Sequence, residues 1–316
     1  MSGYHFPWMI RASKTLAQFL EGYRGSQLRI ADGTREQMAI AVRLFDRHVG
    51  HPVLLLELTE TLLVDFLADY STRVSAATVN AKRRSILALW TEAARHQLVP
   101  APDRLRVPKA REPRRIPEAW TVEEVSRLVR TARSMRGRDI GRISRGRWFS
   151  SLIRVLWESS SRVSAMLSIR PLDCHLDERY LIVRAEQTKT GMDQLYWLST
   201  GCTDAIAEIY DPHAAAIWDW PYSKRQFFKT FRSIAEGAGL RSDPTLAMQL
   251  SHKLRRSALT QVAMSSGLDR AREQAGHSSA AMTRRHYIDP RLLRDRSAVD
   301  ALPQLELDDD PQLRLF

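Results

Sequence analysis

Apolar positions recur at helical spacing from about Lys14 to Val99. The clearest stretch is SAATVNAKRRSILALWTEAARHQLV, where Ser75 stands ready to cap and Val79, Ile86, Leu87, Trp90 and Ala94 share one helical face. Lys82, Arg83 and Arg95 are then directed elsewhere, either as solvated charge or as a basic outer face of the kind that approaches a major groove. The pattern stops at PAPDRLRVPKAREPRRIP, which has prolines at 100, 102, 108, 113 and 117 among Arg104, Arg106, Lys109, Arg111, Arg114 and Arg115. That composition predicts an extended, semi-rigid, cationic linker able to cross a duplex backbone. Periodicity resumes in TVEEVSRLVRTAR, where Thr121 and Glu124 have capping-box spacing. Next, RSMRGRDIGRISRGRW reads as a loop with six arginines, Arg142 and Arg145 among them, suited to phosphate contact. RYLIVRAEQTKTGMDQLYWLS reads as two short strands about a turn at KTG. Helices follow in SKRQFFKTFRSIAEGAG, capped by Ser223, and in SHKLRRSALTQVAMSSG, which starts at Ser251 and stops at Gly267.

The expected fold is therefore mainly α with a small β-sheet in the C-terminal domain. An N-terminal tail (1–13) precedes a helical domain (14–100), a basic Pro-rich linker (101–118), a mixed α/β domain (119–290) and a C-terminal tail (291–316). The chain has 316 residues, 44% hydrophobic and 27% charged, enough for two domains with cores of their own. Its net charge of +12 points to a polyanionic partner. No run of about 18 apolar residues offers a membrane span, and MSGYHFPWMIRAS lacks the apolar core of a signal peptide. The expected location is the cytoplasm, in association with the nucleoid. Cys174 and Cys202 have neither metal nor disulfide spacing, and no GxxxxGK[ST] phosphate loop is present.

One cluster remains: GHSSAAMTRRHY places His277, His286, Arg284, Arg285 and Tyr287 within a dozen residues. In SHKLRR, His252 and Arg255 lie three apart and so project into the same space. Arg162 follows an apolar helix in LWESSSRVSAMLSI, and Lys189 sits in the turn QTKTG. In this order, Arg162, Lys189, His252, Arg255, His277 and Tyr287 resemble the motif residues of the tyrosine recombinases of the phage-integrase type. The resemblance covers about Lys14 to Pro290, its first part matching the family's helical core-binding domain. Three departures from the pattern involve four positions. Ser161 and Ala165 stand where members often have Gly and an acidic residue, and Ala275 replaces the usual Leu before the Gly-His step. Tyr287 lies one residue further from His277 than in many members, with His286 at that place.

The resemblance implies a site-specific DNA recombinase or integrase that needs no metal or other cofactor. Arg162 and Arg255 would grip the nonbridging oxygens of a phosphodiester with bidentate forks. Tyr287 would attack phosphorus and leave a 3′-phosphotyrosyl link, which conserves the bond for rejoining. Lys189 would protonate the departing 5′ oxygen, His252 would move a proton at the nucleophile, and His277 would hydrogen-bond the phosphate. The expected partners are double-stranded DNA, contacted also by Lys82, Arg83, Arg106, Lys109, Arg114, Arg115, Arg142 and Arg145, and three further copies in a tetramer on paired sites. Two alternatives share these residues: a type IB topoisomerase-like enzyme, and a weak or inactive DNA-binding relative. The last pentapeptide, with Gln312, Leu313, Leu315 and Phe316, resembles the motif by which bacterial proteins bind the replicative sliding clamp. The alternative for this pentapeptide is folding back on the protein's own catalytic domain.

Overall fold

The structure, a computed structural model, describes residues 14–22, 31–113, 115–188, 191–240 and 249–293. Lys189, Arg114 and the candidate clamp-binding residues Gln312, Leu313, Leu315 and Phe316 lie outside them. The chain divides into two compact units, Met1–Arg114 and Arg115–Phe316.

Four helices build the first unit: α1 (Leu16–Gly22), α2 (Asp32–Val49), α3 (Glu60–Ser71) and α4 (Ala76–Arg95). Ser75 caps α4 by accepting the Thr78 N–H, and Thr59 caps α3 by accepting that of Leu62. Their apolar stripes meet in a core that includes Phe45, Leu63, Phe66, Ile86 and Trp90. The outward basic face expected of α4 is corrected: Lys82 and Arg83 are both buried. Arg83 donates from Nε to the Val107 carbonyl (2.7 Å) and from Nη2 to that of Arg104 (3.2 Å). Asn80 exchanges hydrogen bonds with the backbone of Ala110 at 2.9 and 3.0 Å, and donates to Glu112 at 2.6 Å. Residues 101–112 are thus a strap fastened along α4, with Val107 fully buried beneath it. Residues 113–118 separate the strap from Ala119, whose N–H is held within the second unit.

In the second unit the capping box forms as expected, and α5 (Val122–Arg133) packs on α6 (Arg145–Ser159). The contact is close because Gly146 has no Cβ, which would run into the Arg133 carbonyl oxygen. The predicted arginine loop is shorter than its glycines suggest, since Ser144 caps α6 and draws Arg145 and Arg147 into the helix. Arg133 and Arg147 pair with Glu208, and Arg145 is half-buried, its Nη2 3.5 Å from the Thr230 hydroxyl. Arg136, Arg138 and Arg142 remain exposed. After the short α7 (Val163–Met166) come β1 (Cys174–His175), β2 (Tyr180–Val183) and β3 (Gln194–Trp197), in one antiparallel sheet of order β1-β2-β3. Sequence pattern had supplied only the last two strands. The helices α8 (Thr200–Ala207), α9 (Lys224–Gly237), α10 (Gln249–Ala275), α11 (Ala280–Tyr287) and α12 (Pro290–Leu293) complete the unit. Gly267, at φ 86° and ψ 167°, breaks α10 where the sequence predicts its stop. Trp148, Phe149, Trp218, Phe227 and Phe231 fill the core. Among the described residues, no helix is long and apolar enough to cross a membrane.

Candidate active site

The first segment of α10 projects Arg255 toward the junction of α6 and α7 and toward the Gly276-His277 turn, with His252 three residues before it. Arg255 is 3% exposed and deeply anchored. It donates from Nη1 to the Ser160 carbonyl and from Nη2 to the Ala275 carbonyl (2.9 Å) and to His277 Nε2 (3.1 Å). A guanidinium carries five N–H donors. Three are thereby engaged, Tyr287 stands within side-chain hydrogen-bond reach of the guanidinium, and the Nε–H is buried with no hydrogen-bond partner among the described residues. Burial pulls the Arg255 pKa below its ordinary value, and nearby Arg162 acts in the same direction.

The Ser160 carbonyl reaches Arg255 because Ser160 ends α6 in the left-handed conformation, at φ 52°. Glycine-like freedom is therefore needed at Ser160, one residue before Ser161, where the resemblance implies a Gly. Arg162 follows at the N-cap of α7, half-buried, its side chain making no hydrogen bond or ion pair among the described residues. Ala165, where an acidic residue was sought, is packed in the core. Arg162 consequently presents its charge without a carboxylate to neutralise it.

Because arginine can only donate, His277 Nε2 must accept from Arg255. Neutral His277 then carries its proton on Nδ1 and donates it to the Thr283 hydroxyl (3.0 Å), which donates to the Ser279 carbonyl (3.3 Å). Ser279 is the N-cap of α11, so this relay ties the buried arginine to the start of the helix that ends in Tyr287. Burial, reinforced by Arg255, Arg162 and His286, pushes the His277 pKa down to about 4. His252 keeps some surface in solvent, yet desolvation and the charges of Arg255, Arg256 and Arg162 lower its pKa too. The Tyr287 ring lies 5.2 Å from the Arg255 guanidinium carbon and 4.7 Å from the His277 ring. Tyr287 thus meets the arginine from the last position of α11, despite the extra residue before it.

Five of the six residues singled out in the sequence are accordingly gathered around Arg255. Lys189 falls outside the described residues, but the neck of its turn is braced. Arg184 pairs with Asp173 (2.6 Å) and Asp193 (3.2 Å), and the Ala185 N–H donates to Asp193 (2.7 Å). The hairpin also presses on the site from the side. Gln194 fills the space where a Gly276 Cβ would stand, and it accepts the hydroxyl proton of buried Tyr196 at 2.7 Å. A groove of about 840 Å³ opens here, lined by Gln194, Tyr196, Gly276 and His277. Tyr196, Gln194, Thr283 and Ser160 escaped the sequence reading. Only the inward period-2 phase of Gln194 and Tyr196 on β3 gave a signal for any of them. Of the candidate DNA contacts, Arg106, Lys109, Arg115 and Arg142 are exposed, whereas Lys82, Arg83 and Arg145 are engaged within the protein.

A family model described as the phage integrase family matches residues 120–292. No curated protein matches the chain. Among solved structures, a lambda integrase dimer bound to a COC' core site is similar with a TM-score of 0.65 at 19% identity, covering 97% of this chain and 85% of that one. XerH site-specific recombinase bound to palindromic difH substrate is similar with a TM-score of 0.65 at 15% identity, covering 90% and 94%. The Tn1549 transposon integrase in complex with a circular intermediate DNA is similar with a TM-score of 0.61 at 14% identity, covering 90% and 100%. At these identities the likeness is one of fold.

Proposed function

The chain belongs to the phage integrase family, and on that footing we propose that it is a site-specific DNA recombinase that cleaves and rejoins duplex DNA through a 3′-phosphotyrosyl link on Tyr287. The observation that carries this reading is the setting of the Tyr287 ring 5.2 Å from a buried guanidinium whose Nε–H has no partner among the described residues. A phosphodiester resists attack because its negative oxygens shield phosphorus, and the oxygens gain charge as the nucleophile arrives. Arg162, with no protein counter-ion among the described residues, and the charge of Arg255 with its unpartnered Nε–H supply the neutralising field. His277 is neutral at physiological pH and directs its Nδ1–H away from Arg255, so its role here is to orient Arg255 and the start of α11. His252, at the rim and with a lowered pKa, is free to move a proton at the Tyr287 hydroxyl. Lys189 is the proposed acid for the departing 5′ oxygen.

The net charge of +12, with exposed Arg106, Lys109, Arg115 and Arg142, suits a duplex partner. One structural relative is a lambda integrase tetramer bound to a Holliday junction, and we extend tetramer formation on paired sites to this chain. The test is covalent trapping: purified protein is incubated with fragmented DNA, denatured, and the attached DNA sequenced. The expected result is an adduct at a defined site that Tyr287→Phe abolishes while DNA binding persists. An adduct surviving in that variant would move the nucleophile elsewhere, and supercoil relaxation without recombinant product would favour a topoisomerase.

A further inference from the structure

Two residues beyond Tyr287 the chain turns through Asp289, whose carboxylate is 1% exposed yet accepts four hydrogen bonds. Oδ1 takes the Arg291 backbone N–H and Nε–H, both at 3.0 Å. Oδ2 takes Arg291 Nη2 at 2.8 Å and the backbone N–H of Ala119 at 2.9 Å. Burial alone would raise the Asp289 pKa, but these donors outweigh it and hold the carboxyl below its ordinary value. Thr260, fully buried on α10, spans the same turn from the other side. Its hydroxyl donates to the Tyr287 carbonyl at 3.2 Å and accepts the Asp289 N–H at 3.1 Å.

Residues 118–120, where the chain from the first unit joins the second, are held by the same elements. The Trp120 N–H donates to Ser257 Oγ at 2.6 Å, and Lys253 pairs with Glu118 at 3.1 Å while its ammonium lies 5.6 Å from the Trp120 ring. Ser257 and Lys253 flank Arg255 on α10. The arrangement matters because α11 has only eight residues and Tyr287 is its last. Helix ends fray, and their last carbonyls need partners from outside the helix. Here Thr260 supplies the partner, and Asp289 ties the exit of the turn to Ala119.

We infer that Asp289, together with Thr260, is a positioning residue for the nucleophile, fixing the backbone that leaves Tyr287 to the end of the interdomain linker at Ala119. The inference rests on Tyr287 being the nucleophile. It makes the setting of the phenol against Arg255 depend on how the linker is anchored, although Asp289 touches neither DNA nor the reacting atoms.

The test uses the full chain and a nicked suicide duplex bearing the site recovered by covalent trapping. Single-turnover adduct formation at saturating DNA, DNA affinity and melting temperature are measured for Asp289→Asn, Ala119→Pro, their double variant and Thr260→Val. A displacement of about 1 Å at a reacting group costs on the order of a hundredfold in rate. We expect losses of about that size in Asp289→Asn and Thr260→Val, with DNA affinity unchanged. Ala119→Pro removes the linker's donor to the same carboxylate, so the double variant should be no slower than the slower single one. Folded Asn and Val variants that form adduct at the unaltered rate would overturn the inference. So would losses that fall equally on affinity, or that multiply in the double variant. If Ala119→Pro does not fold, the rate-against-affinity split in Thr260→Val decides alone. Absence of adduct from the unaltered chain would instead overturn the proposed function, and the inference with it.

Discussion

Arg162 and Arg255 bring the same charge to the site but stand in different surroundings, so their removal should be told apart. Arg162 has no protein partner among the described residues. Arg162→Ala should therefore lower single-turnover cleavage by about 10²–10³, the cost of one transition-state donor, with little change in melting temperature. Arg255 holds the carbonyls of Ser160 and Ala275. Arg255→Ala should cost a similar factor in cleavage and also about 2–4 kcal/mol of stability, because buried acceptors lose their donor. A variant pair that behaves identically in calorimetry would contradict this assignment. His277 provides a pH test. Its folded pKa of about 4 lies below the ordinary value of 6.5, so between those values the unfolded chain binds the extra proton. Stability is fully present above pH 6.5 and falls as pH drops toward 4, by up to about 3 kcal/mol from this group at 1.36 kcal/mol per pH unit. His252 titrates in the same direction. An NMR titration of the His277 ring near pH 6 would reject the geometry that holds Nε2 against Arg255.

At the scale of elements, sequence and structure agree where a local rule decides the outcome and part where a distant backbone does. Ser75, Thr121 and Ser223 cap the helices expected of them, because a cap is settled by the next three residues. Arg83 was misjudged for its charge. Its spacing of three and seven to Ile86 and Trp90 already places it on the buried face of α4. What makes that face tolerable to a guanidinium is the strap, whose carbonyls arrive 21 and 24 residues later. The role of Asp289 was illegible for the same reason, since its partner Ala119 lies 170 residues away. The grouping of Arg162, His252, Arg255, His277 and Tyr287 was legible because each comes with its own short motif, whereas Tyr196 is apolar by pattern and its hydroxyl finds Gln194 only in the fold. The strap gives a prediction. Arg83→Met should destabilise the first unit by about 2–3 kcal/mol, leaving the Arg104 and Val107 carbonyls without their donor, while the salt dependence of DNA binding is unchanged. Exposed Arg142→Ala should do the opposite, keeping stability and reducing the slope of log affinity against log salt by about one phosphate contact.

For the whole molecule, the strap sets how much chain joins the two units. A linker running free over 101–118 would reach roughly 60 Å at 3.3–3.6 Å per residue, whereas residues 113–118 alone reach only about 20 Å. If both units engage one duplex, as the proposed function has it, binding of the second becomes an intramolecular step at an effective concentration of order millimolar. A protease site placed within residues 113–118 should therefore, on cutting, weaken DNA binding by about 10²–10⁴ without altering the fold of either unit. Mobility-shift titrations before and after cleavage measure this, and equal affinities would show that one unit carries the binding alone. Arg83 and Asn80, which fasten the strap, would on that reading act on affinity without touching DNA: they set the length of the leash.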